Sequence, residues 1–172
     1  MKPFVENAFH DGRYVLPIRC EGFQRSQLNA RMEGTCIIAY SLPRDHSLSE
    51  AWQCRIHFNS GTMFEFSSLC TGVGGWDEMG SLCIHEMENG TDKALFQKTM
   101  VEPICIAKIE CFIHDNTTVY CEAGMVFQDA HGKEVIIAAG VAPGSVSVSA
   151  PFSQEAFEPE LSIDAYARLP FN

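Results

Sequence analysis

Between Cys105 and Val148 apolar and polar residues alternate with few breaks, and short turn-forming sequences interrupt the alternation at intervals. Successive side chains of a strand point to opposite sides of its sheet, so a period of two marks strands buried on one face. The pattern puts Cys105, Ala107, Ile109, Cys111 and Ile113 on one side and Ile104, Ile106, Lys108, Glu110, Phe112 and His114 on the other. Asp115-Asn116-Thr117, Asp129-Ala130-His131-Gly132 and Pro143-Gly144 supply the turns, in residues that favour local side-chain hydrogen bonds or positive φ. Between and after them, residues 118–127, 133–139 and 146–148 read as strands.

The same reading extends over most of the chain. Residues 13–20 alternate around Pro17, which cannot donate to a ladder and so predicts an edge or bulged strand. Residues 35–42 form a β-rich run that Pro43 ends. Trp52, Cys54, Ile56 and Phe58, the turn Asn59-Ser60-Gly61, and then Phe64 and Phe66 predict a hairpin. Residues 81–87 and 161–169 are further strands. Alternation is lost at residues 21–34, where Ser26 predicts the cap of a short helix, and at residues 88–100, where Thr91-Asp92 predicts a helical turn through Leu95 and Phe96. About ten strands with short connections predict an all-β fold in one domain, residues 1–172: an antiparallel β-sandwich or a closed β-barrel with one or two short helical turns.

Charge narrows the partners. The net charge of −10 repels phosphate backbones and anionic lipid, and the arginines are scattered, so neither nucleic acid nor membrane is expected as a partner. Residues 1–7 lack the apolar run of a signal peptide, and a cytoplasmic location is expected. Asn89-Gly90-Thr91 and Asn116-Thr117-Thr118 match a glycosylation pattern but read better as turns in that setting.

The eight cysteines are widely spaced, without the short gaps of zinc ribbons. Cys36 shares its parity with Ile38, Tyr40 and Leu42; Cys54 shares that of Trp52, Ile56 and Phe58; Cys121 shares that of Val119, Ala123, Met125 and Phe127. Free cysteine packs as a small hydrophobe, so the pattern predicts reduced, buried structural thiols.

The Gly-x-Ser-x-Gly elbow, the phosphate-binding loop, the dinucleotide fingerprint and His-Glu-x-x-His are all absent from the sequence. Of the six histidines, His46, His57, His114 and His131 read as solvated residues of polar faces and turns. His85 differs, sharing a strand face with Cys83 and Met87. A Cys83 and His85 pair suits a soft metal or a thiolate and imidazole pair, with Glu65 or Asp77 as helpers; the simpler reading is a core histidine bonded to backbone. The loop running from Gly72 to Gly80 supplies the other candidates. Gly74 and Gly75 permit close backbone approach, and Trp76 beside Asp77 offers an aromatic platform flanked by acid for a sugar, a cation or a protein. The simpler reading has Trp76 capping the sandwich.

The expectation is therefore a non-catalytic binding or interaction module without a cofactor. Its partner would be another protein, a second copy of the chain or a small molecule. The competing expectation is a small-ligand-binding β-barrel or a metal-dependent enzyme using His85.

Overall fold

The computed structural model describes residues 9–75, 77–87 and 95–172. Among them thirteen strands, numbered along the chain, form two sheets. The first sheet contains β1 (Phe9–His10), β2 (Arg13–Leu16), β9 (Lys108–Asp115), β10 (Val119–Gln128), β11 (Glu134–Ala139), β12 (Val146–Ser149) and β13 (Ala167–Pro170). The second contains β3 (Arg19–Glu21), β4 (Cys36–Pro43), β5 (Cys54–Phe58), β6 (Met63–Gly72), β7 (Glu78–Met87) and β8 (Phe96–Cys105), in the spatial order β3-β7-β6-β5-β4-β8. The fold is all-β and sandwich-like. Each sheet keeps its own edge strands, so the closed barrel is not formed.

Nor is the sandwich wholly antiparallel: β2 runs parallel to β10, and β3 parallel to β7. Both pairings come from one stretch of chain, which changes sheets at Pro17. The predicted single strand over residues 13–20 is thus two strands. Pro17 has no N–H to lose there, and the next N–H, that of Ile18, is donated to Glu122 Oε2 at 2.6 Å. Glu122 also accepts both terminal nitrogens of Arg25, at 2.6 and 2.9 Å, and the Tyr120 hydroxyl at 3.1 Å. A carboxylate with four donors is how the chain buries a charge and an otherwise orphaned backbone group together.

A second crossing divides the strand predicted from Cys105. Ile104 and Ile106 are buried, Ala107 and Lys108 exposed, and Ile109, Cys111 and Ile113 buried again. The parity slips by one residue where β8 ends in the second sheet and β9 begins in the first. Cys105 therefore faces outward, opposite Cys36 on β4, with the two Cα atoms 3.8 Å apart, and the pair forms a disulfide. This corrects the expectation of reduced cysteines for two of the eight. Parity alone could not reveal a pairing set by which strand β8 lies beside. The other six cysteines remain thiols.

The main core lies between the sheets, where Ile56, Phe64, Phe66, Leu82 and Ile84 meet Cys111, Ile113, Met125, Phe127, Val135 and Ile137. The Phe66 and Phe127 rings make an edge-to-face contact across it, with centroids 5.9 Å apart. A second cluster lies on the other face of the first sheet, where Phe112, Val119, Cys121, Ala123, Val126 and Ala138 are covered by Tyr166 with Phe157 and Leu161 packed beside it. β10 faces both clusters, and a register shift between Glu122 and Gly124 changes which alternate residues face which. The bulge sends Val119, Cys121 and Ala123 to one face and Met125 and Phe127 to the other, correcting the single face predicted for all five.

The helical expectations are met in part. A 3-10 turn (Arg25–Gln27) leads into α1 (Leu28–Met32), which buries Leu28 and Met32. The Gln24 N–H, donating to Gln27 Oε1, marks its start in place of Ser26. Thr91 and Asp92 lie outside the described residues, and Phe96 begins an extended strand. Residues 161–169 are not one strand: Ile163–Ala165 is a 3-10 turn and only β13 is extended. The Leu161 N–H donates to the Tyr166 hydroxyl at 3.0 Å, and the Tyr166 ring stacks on Phe112. Among the described residues no helix is long and apolar enough to cross a membrane.

Candidate functional site

The structure separates the residues singled out from the sequence. Gly74 and Gly75 adopt φ of 104° and 61° in the turn between β6 and β7. That turn is closed by the Val73 N–H donating to the Asp77 carbonyl and the Asp77 N–H donating to the Gly74 carbonyl. Trp76 lies outside the described residues. His85 sits eight positions beyond Asp77, near the other end of β7. At about 3.3 Å of rise per residue they are roughly 26 Å apart, so Asp77 cannot assist His85.

His85 and Cys83 do share the outer face of the second sheet, but Cys83 is fully buried, opposite Ser67 and Arg19. His85 stands in a polar row that crosses all six strands: Lys98 pairs with Ser41, Ser41 with Arg55, Arg55 with Glu65, Glu65 with His85 and His85 with Glu21. Arg55 and Glu65 are 4% and 5% exposed; the Arg55 Nε donates to Glu65 at 3.0 Å and its guanidinium covers the Phe96 ring.

One contact on this face has the form of a nucleophile and its base. Ser41 Oγ lies 2.7 Å from His57 Nε2. Acyl transfer through such a pair needs an imidazolium steadied by an acid. Here burial, and then Lys98 and Arg55, lower the His57 pKa to about 4. Two cations beside the ring oppose the proton it would have to accept. Burial also pushes the Cys20, Cys54 and Cys70 thiols up to about 11, 12 and 12, away from thiolate chemistry. Among the described residues no group of three or more His, Cys, Asp and Glu side chains is placed to hold a metal.

A shallow, open groove with exposed apolar walls lies at the end of the sandwich near the β6–β7 turn. Glu50, Val141, Phe157, Glu158, Glu160 and Ile163 contribute to a groove of about 520 Å³ between the turn after β11 and the segment before β13. Val141 and Ile163 are 65% and 55% exposed, among the few large apolar side chains open to solvent. Phe157 and Leu161 anchor the floor on the second apolar cluster. The backbone is tied down: the Glu160 N–H donates to the Ala139 carbonyl and the Glu158 N–H to Ser147 Oγ.

Glu160 joins this groove to β7. Its Oε2 accepts the Gly80 N–H at 2.7 Å, and a Cβ on Gly80 would lie 2.7 Å from the Ala139 Cβ and 3.0 Å from that Oε2. Only glycine lets the strand come so near. Burial raises the Glu160 pKa, Glu78 adds to the rise, and the Gly80 N–H opposes it.

No protein family, curated protein or solved structure matches this chain.

None of the candidate site residues taken from the sequence lines this groove. The alternation over residues 161–169 predicts Ile163 in a strand, and a 3-10 turn interrupts it. Val141 and Glu158 lie in connections, where no periodicity marks a residue. The available signal was the apolar Val141 two residues before Pro143-Gly144, and an acidic, proline-containing stretch over residues 154–160.

Proposed function

We propose that the protein is a non-catalytic binding module whose ligand sits in the groove formed by the turn after β11 and the segment before β13. The observation that carries this reading is the solvent-open pairing of Val141 and Ile163 on a groove floored by the second apolar cluster. Open apolar surface that is held in place and gathered into one recess favours contact with another molecule. Catalysis through His85 has less to support it, since Asp77 is remote and the nearby His57 is surrounded by cations.

Binding of the uncharged dye Nile red tests the reading. Val141→Ser combined with Ile163→Ser is expected to lower the dye's affinity about tenfold, while Met100→Ser, at the distant and exposed edge strand β8, leaves it unchanged. Equal dye binding by the wild type and the double variant overturns it.

A further inference from the structure

Resting on that reading, we infer that the groove's occupant is an extended segment of a partner polypeptide carrying Lys or Arg beside large apolar residues. Among the described residues, the ionisable groups lining the groove are Glu50, Glu158 and Glu160, with neither Lys nor Arg. The three carboxylates come from two stretches of chain: Glu50 precedes Ala51, which bridges to Val146, while Glu158 and Glu160 flank Pro159, which bridges to Gly140. Both stretches are therefore fixed to the first sheet, which holds the acids in the same groove as Val141 and Ile163.

Each position has something to offer a cation. Glu158 and Glu50 are exposed. Glu160 uses Oε2 to hold Gly80, and among the described residues Oε1 has no hydrogen-bond partner. Trp52, 47% exposed, lies against Gly144 in the turn that presents Val141, where its ring face suits a guanidinium or an ammonium. Val141 and Ile163 ask for apolar side chains of similar size, which a bare polyamine lacks. The groove is shallow and open, a shape better filled by an extended chain than by a compact small molecule. The chain's charge of −10 repels an anionic occupant over a longer range.

The decisive experiment measures binding of the intact protein to a short capped peptide of alternating Leu and Arg, to its Leu and Glu counterpart and to spermine, at low and high salt. The Leu and Arg peptide is expected to bind and to weaken with salt, and Glu50→Lys with Glu158→Lys to reduce its affinity at least about tenfold. Both substitutions fall on exposed side chains and leave the core untouched. Equal affinity for the acidic peptide, displacement of the basic peptide by spermine of equal affinity, or no basic peptide binding overturns the inference. If the basic peptide fails while Nile red still responds to Val141→Ser and Ile163→Ser, the partner's chemistry is wrong and the groove stands. If the dye ignores those substitutions, the groove reading fails first.

Discussion

Two ion pairs, one fully buried and one whose arginine is partly exposed, do different work. Arg55 and Glu65 lie side by side on the outer face of the second sheet, and Glu65 also accepts a bond from the Gln53 side chain. Arg25 and Glu122 meet where the chain passes between sheets, and Glu122 also holds the Ile18 backbone. The lesson concerns what survives replacement. Apolar residues can stand in for two paired side chains, whereas a backbone N–H stays in place and still needs an acceptor.

The largest effect should follow Glu122→Leu, which leaves Arg25 without its carboxylate and Ile18 without its acceptor; denaturant titration should show a loss of about 4 kcal/mol. Adding Arg25→Met should recover only part, leaving about 2 kcal/mol, because the Ile18 N–H remains orphaned. The parallel double variant, Arg55→Met with Glu65→Leu, should cost at most about 1 kcal/mol and less than Glu65→Leu alone. Equal costs for the two double variants would erase the distinction drawn here.

A separate effect is a pH dependence on the same outer face. His57, with its folded pKa near 4, refuses a proton that the unfolded chain accepts at an ordinary value near 6.5. Its contribution is complete above pH 6.5 and declines as the pH falls toward 4. His57→Gln should therefore flatten the stability profile between pH 6.5 and 4. A profile unchanged by this substitution would mean that water reaches the ring freely.

The strands that proved easiest to read are those that stay in one sheet. The hairpin of β5 and β6 follows the alternation directly, with Gly61 at φ 85° in its turn, and Asn116 and Asp129 cap the next two turns with their side chains. Misreadings gathered where the chain changes sheet or bulges. At Pro17, at Ala107 and at Ala123 an apolar residue still follows at short spacing, so the sequence goes on alternating while the face it addresses has changed. A period of two records that side chains alternate and carries no label for which core receives them. The disulfide escaped for the same reason, since Cys36 and Cys105 meet through a pairing of strands 69 residues apart. The groove was hidden further, being made of loops brought together only after both sheets have formed.

The passage of the chain at Pro17 also bears on how the molecule folds. β2 pairs with β10 through Tyr14 and Val119, and β3 pairs with β7, so each sheet draws a strand from the same early stretch. Closing such distant contacts loses chain entropy before any burial repays it, and parallel pairing adds to the delay. Either sheet can begin from its local hairpins, but both wait for one short segment to dock between them. Folding should therefore be slow for a chain of this size, and its last committed step should depend on Glu122 finding Ile18.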